Sequence, residues 1–144
     1  MKTKLFFSIC LMLLAASITA QASIPQGIWT VTQITIEKNI DGIIQTSVYN
    51  TPAEVQSFIP SFNELEIINE QSARVRYDGW EETVEYLVDD NLLKIQASDG
   101  FMQPFQYSLS GNTLILNTTY NYINNLPTGR AEQIIENRTI VLRK

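Results

Sequence analysis

The 144-residue chain carries 10 basic and 15 acidic side chains, one cysteine and no histidine, for a formal net charge of −5. Lacking histidine, with its one cysteine at position 10, it is without the ligand sets of ordinary zinc and haem sites, the Ser-His-Asp and Cys-His nucleophiles, and imidazole acid–base chemistry. The acidic balance makes nucleic acid and anionic lipid surfaces poor partners.

The N-terminus places Lys2 and Lys4 before an apolar run, Leu5 to Ala16, and ends on Ala20-Gln21-Ala22 ahead of Ser23. That order of positive, apolar and small residues is what a signal peptidase reads. A bilayer-spanning helix needs about 20 apolar residues, so a cleaved leader is expected rather than a permanent anchor. Cys10 lies inside the apolar run and not at the cleavage point, so lipidation is not expected. The expected organisation is a signal peptide over 1–22 and one domain over 23–144, exported to the periplasm or out of the cell, with no stable membrane insertion. Without Lys2 and Lys4, 8 basic residues face 15 acidic ones, a net charge near −7. The domain then has no disulfide, and no metal or cofactor is expected. Its length suffices for one self-contained core.

Period-two alternation of β-branched and aromatic residues runs through most of the chain after the leader. Gly27–Lys38 reads as the first strand and Ile43–Tyr49 as its partner across an Asp41-Gly42 hairpin turn. Thr51-Pro52-Ala53-Glu54 has the marks of a helix start, namely a capping threonine, a first-turn proline and an acid near the positive helix end. Pro60 limits that helix to about two turns. Strands are expected next over Phe62–Asn69, Ala73–Tyr77, Thr83–Val88, Leu92–Ala97, Gln103–Leu109, Thr113–Tyr122 and Gln133–Leu142. Most are separated by short turns rich in Asn, Asp and Gly, and the last two by a longer Asn124–Arg130 loop. Connections this short join antiparallel neighbours and exclude parallel crossovers. About nine such strands suit an up-and-down barrel or a sandwich, and closure would remove edges open to aggregation. A membrane barrel fits less well, because Glu64, Glu66, Arg74, Arg76, Glu82 and Glu85 interrupt any lipid-facing band. Phe62, Leu65, Ile67, Val75, Tyr77, Leu114 and Leu116 are spaced to share the inward face.

Gly27-Ile28-Trp29 opens the first strand directly after the leader. Beyond it come a short helix, hairpins of the Asp-Asp-Asn-Leu-Leu-Lys-Ile and Ser-Gly-Asn-Thr-Leu-Ile-Leu kind, and a last strand ending Val141-Leu142-Arg143. This assembly resembles the lipocalin-like domains of small exported bacterial proteins, of the Bacteroidetes type. The resemblance implies an all-β, antiparallel up-and-down lipocalin-like barrel with one short helix near its N-terminal side. Trp29 would plug the closed end, and Arg143 or Arg138 would pack over it. The second and third lipocalin signatures are not recognisable, and the usual disulfide is missing.

Glu81, Glu82 and Glu85, with Asp89-Asp90, are the densest acidic stretches. They could be read as a carboxylate pair or as oxygen ligands for calcium. Neighbouring strand residues point to opposite faces, however, so Glu81 and Glu82 do not converge, and no calcium-loop motif is present. The plainer reading is a solvated strand face and a hairpin tip, with no catalytic residue. Asn117-Thr118-Thr119 and Asn137-Arg138-Thr139 match a glycosylation sequon but lie in expected strands.

Trp80, Phe101 and Met102, if carried on loops at an open mouth, could admit a small apolar or sugar ligand, with Tyr107 and Tyr120 as further candidate contacts. The competing account is that these residues simply cover the barrel end. Three functions from different classes are open: a carrier of a small apolar or amphipathic molecule, a filled barrel binding a protein or cell-envelope glycan on its outside, or an enzyme using carboxylates alone. The first is the leading expectation, and the protein is not expected to be an enzyme.

Overall fold

The computed structural model describes residues 23–57, 62–96 and 99–144. The expected leader, Pro60 and Ala97 lie outside the described residues. The strands are β1 (Gly27–Ile40), β2 (Ile43–Tyr49), β3 (Glu64–Ile67), β4 (Ser72–Tyr77), β5 (Trp80–Asp89), β6 (Leu92–Gln96), β7 (Met102–Ser110), β8 (Thr113–Asn125) and β9 (Ala131–Arg143), with one helix, α1 (Pro52–Ser57), between β2 and β3. All pairings are antiparallel, and all join sequence neighbours except β1 with β3 and β1 with β9. The β1–β9 pairing closes β1 and β3–β9 into an eight-stranded barrel.

β1 changes partners along its length. Gly27–Thr30 pairs with β3 and Ile34–Ile40 with β2, while β9 runs along the opposite edge from Thr30 to Ile40. The change falls at a bulge between Val31 and Gln33, where the Thr32 hydroxyl donates to the Val141 carbonyl at 3.2 Å. An extra residue bends the strand and increases its twist. β2 and β3 therefore lie on one edge of β1, interrupted by the excursion that carries α1. Beyond the bulge, β2, β1, β9 and β8 continue as a four-stranded extension of the barrel wall.

Two tight features hold that extension. Asp41 and Gly42 both take positive φ, 50° and 88°, the dihedrals of the hairpin turn that the Asp-Gly pair favours. Arg130, on the β8–β9 loop, pairs with Asp41 at 2.5 Å and ties the two hairpin tips together. β8 and β9 pair from Thr113–Arg143 to Asn125–Ala131. The expected Asn124–Arg130 loop is thus shorter, because Asn124 and Asn125 pair with Glu132 and Ala131 and leave 126–130 as the turn.

α1 starts as its sequence requires. The Thr51 hydroxyl accepts from Glu54 N at 3.3 Å, while Glu54 Oε2 accepts from Thr51 N at 3.0 Å and Asn50 N at 3.1 Å. This reciprocal box satisfies amides that the first turn leaves without partners. Those bonds hold the Glu54 carboxyl below its usual value. Val55 is the buried contact of the helix with the core. Thr51→Ala is expected to cost about 1 kcal/mol, measurable by urea denaturation, and an unchanged midpoint would mean that α1 is not coupled to the barrel.

The barrel floor is filled. Trp29, Leu65, Leu93, Leu114, Leu116 and Leu142 are completely buried. The Trp29 indole N–H donates to the Pro25 carbonyl at 3.0 Å. The cation over the indole is Lys144, 5.9 Å from the ring centroid, rather than either arginine expected there. Period-two geometry explains the difference. Arg143 lies opposite Thr30 and Thr113 and is exposed, one residue out of phase with inward Leu142, whereas Lys144 reaches back and donates to Gln26 O at 2.5 Å. Gly27 takes φ +120°, a backbone conformation that other residues rarely adopt, so glycine suits this position.

Candidate functional site

The floor turns at 68–71, 89–92 and 110–113 lie at the Trp29 end. The β4–β5 turn, the end of β6 at Gln96, the start of β7 at Met102 and the β8–β9 loop lie at the other end, which is the mouth. Inside the mouth is a cavity of about 350 Å³. Its walls are apolar, formed by Phe62, Val75, Ile95, Phe105 and Ile140; Tyr77, Gln96, Gln103, Tyr120 and Arg138 complete the lining. A volume of this order lies in the range of small-molecule sites.

The polar side arises from strand registers. Reading across the inner face of β2, β1, β9 and β8, one row is Tyr49, Ile34, Ile140 and Leu116, and the next is Ser47, Ile36, Arg138 and Thr118. Above these come Gln45, Lys38, Glu136 and Tyr120, then Ile43, Ile40, Ile134 and Tyr122 at the tip. A belt of charge is thereby set between an apolar core and an apolar tip.

Glu136 is the centre of that belt. Its side chain is only 6% exposed; Oε1 pairs with Arg138 Nη2 at 2.5 Å, and Oε2 faces Lys38 Nζ at 3.5 Å and accepts from the Tyr122 hydroxyl at 3.1 Å. Burial would raise this carboxyl, yet Arg138, the Tyr122 hydroxyl and the Lys38 charge together hold it below the usual carboxylate value. The Arg138 guanidinium carbon also stands 4.8 Å over the Tyr120 ring, which orients the cation. Gln103 Nε2 donates to the buried Thr118 hydroxyl at 3.1 Å.

Across the mouth, Tyr77 donates to Glu82 at 3.1 Å, and its ring is stacked on Trp80 with centroids 4.0 Å apart. Burial, together with the adjacent carboxylate, pushes the Tyr77 hydroxyl up to about 12. It remains a protonated donor throughout the neutral range.

The expected ligand contacts divide. Tyr120 lines the cavity. Trp80, 54% exposed, lies at the mouth but opens β5 rather than sitting on a loop, because the two-residue Asp78-Gly79 turn suffices and lets pairing begin at Tyr77–Trp80. Phe101, 61% exposed, precedes Met102, which begins β7 opposite Gln96, out of phase with inward Gln103 and Phe105. Tyr107 packs inward against the core opposite Leu116, below the cavity and towards the floor.

Glu81 and Glu82 point apart as alternation requires. Glu81 joins Glu64, Glu66, Arg74 and Arg76 in an outer ion-pair ladder, with Arg76 reaching Glu64, Glu66 and Glu81 at 2.8, 2.7 and 2.9 Å. Asp89 pairs with Lys94 at 3.3 Å. No group of acidic residues suited to a metal ion occurs among the described residues. The two sequon asparagines accept cross-strand bonds, Asn117 from Thr139 and Asn137 from Thr119, each at 2.8 Å.

Lys38, Glu136 and Gln103 were not singled out by the sequence, and Arg138 was expected at the opposite end. A signal existed in β9: Ile134, Glu136, Arg138, Ile140 and Leu142 keep strict period two, so both charges share the core-facing parity. Comparison of the chain with protein-family models, curated proteins and solved structures gave no match.

Proposed function

We propose that the protein is an exported, non-enzymatic, lipocalin-like binding protein that holds a small apolar or amphipathic molecule in the barrel mouth. The carrying observation is the apolar-walled cavity of about 350 Å³ above a filled floor. Apolar walls with a few converging polar groups are the usual form of a small-molecule site. Closing the strands into a barrel supplies rigid walls for such a cavity.

An environment-sensitive fatty-acid probe titrated into the purified protein is expected to bind saturably, one to one, and to be displaced by unlabelled lipid. Gln103→Trp would put an indole into the cavity and is expected to weaken the probe at least tenfold. Trp80→Ala with Phe101→Ala is expected to weaken it several-fold, while stability falls by less than about 1.5 kcal/mol, since both side chains are mostly exposed. No saturable binding by a folded protein would sink the proposal.

A second reading is an interaction module binding a protein or envelope glycan through its outer surface. It is favoured by exposed Ile44, Val48 and Ile123 on the outer face of the extension, and by the outer edge of β2, which has no strand partner among the described residues. Such an edge is a template for strand addition. Ile44→Lys with Val48→Lys should abolish association with a partner of that kind and spare probe binding; the reverse outcome would dismiss this reading.

A further inference from the structure

The cavity lining includes one charged side chain among the described residues, the cation Arg138. Resting on the reading of this cavity as a binding site, we propose that the ligand is a single-chain amphiphile with an anionic head. The head, a carboxylate or a phosphate monoester, seats against Arg138 with its chain in the apolar well.

The guanidinium is fixed before any ligand arrives. Glu136 holds Nη2 at 2.5 Å, the Tyr120 ring lies against the guanidinium at 4.8 Å, and the side chain is only 12% exposed. Arginine keeps its charge at every accessible pH, and its planar fork matches carboxylate and phosphate oxygens. A fixed donor array loses little freedom when a head group docks.

The surrounding charges favour the same sign. Lys38 shares the carboxylate of Glu136 with Arg138, so two cations meet one anion on the β1–β9 side of the mouth. Glu82, the acid on the opposite side, accepts from Tyr77 and is not part of the lining. This local positive excess stands in a chain whose net charge is −5, so composition does not produce it; placement on the inner face does. Tyr120 and Gln103 are further polar residues of the lining. Opposite this side lie Phe62, Val75, Ile95 and Phe105, which suit an alkyl chain.

The cavity, about 350 Å³, lies at the small end of the range of small-molecule sites, so a medium-length chain is the suitable probe, and a ten-carbon one is used.

The test is calorimetric titration of the full-length protein with decanoate, decyl phosphate and decanol at pH 7.5. At least one of the two anions is expected to bind tenfold or more tightly than decanol, and the stronger anion identifies the head group. Arg138→Gln is expected to bring that anion-to-alcohol ratio close to one. Because this change strands Glu136, the pair Glu136→Gln with Arg138→Gln is measured beside it as a variant that keeps no unpaired buried charge, with the same ratio expected. Decanol binding as well as both anions, or a ratio unchanged in the folded double variant, overturns the anionic head and leaves the cavity reading standing. No binding of any of the three overturns both.

Discussion

Replacing Trp29 by alanine is expected to lower the free energy of unfolding by about 3–5 kcal/mol, the range for deleting a large buried aromatic side chain. The ring is wholly buried in the core cluster, its N–H is bonded to Pro25 O at 3.0 Å, and Leu65 of β3 stands opposite it across the ladder. Trp80→Ala removes the same side chain at the other end of the barrel, where it is 54% exposed and rests on Tyr77. Its cost should stay below about 1.5 kcal/mol. Urea denaturation of the two variants side by side measures the contrast, and equal losses would refute the division into a packed floor and an open mouth.

Arg138→Met is expected to destabilise the protein by about 3–5 kcal/mol at neutral pH, because it leaves the Glu136 carboxylate buried without its principal partner. The pH dependence should reverse sign. In the native protein the Glu136 carboxyl lies below its ordinary value of 4.5. Its contribution is thus complete above that pH and lost as pH falls through the depressed value. Without Arg138, burial, the largest influence on this carboxyl, is opposed only by the Tyr122 hydroxyl and the Lys38 charge, and the carboxyl is expected to move above its ordinary value. The variant is then least penalised in acid and loses stability as pH rises through the raised value. The penalty measured at pH 4 should therefore be clearly smaller than at pH 7.5. Joining Glu136→Leu to Arg138→Met should recover most of the loss, since a buried ion pair replaced whole by apolar side chains is often neutral. An equal penalty at both pH values would mean that Glu136 and Arg138 are not electrostatically coupled.

Local chemistry made much of the fold legible. Asp41-Gly42 placed the first hairpin turn because few other residue pairs tolerate two consecutive positive φ angles. Thr51 and Glu54 announced α1 because their side chains satisfy the amides of the first turn. Alternation along Leu65–Ile67, Val75–Tyr77 and Leu114–Leu116 named the inward face, which burial bears out for all but the half-buried Tyr77. Strand ends were less legible. Trp80–Glu82 and Ile123–Asn125 carry no turn residue that forbids pairing, so only the partner strand decides where the ladder stops.

The candidate site was less legible than the fold for a related reason. Aromatic residues at the mouth were visible as a cluster in sequence, yet of Trp80, Phe101, Met102, Tyr107 and Tyr120 only Tyr120 lines the cavity. Arg138 is a cation near the C-terminus in sequence, and its period-two phase with Leu142 already puts it on the inner face. Its height in the barrel was hidden.

Residue order and alternation thus specify an all-β meander, its principal turns, its capped helix and the parity of each strand, because these depend on neighbours within a few positions. The closing pairing of β1 with β9, and with it the rows that bring Lys38 beside Glu136 and Arg138, depend on register between segments about 100 residues apart, while the partner exchange at the Val31–Gln33 bulge and the place of Tyr120 follow from how β1 and β9 meet their other neighbours. Shear and closure of the whole barrel set that register. The floor and the mouth, and hence which inward residues become core and which line a cavity, exist only once the barrel has closed.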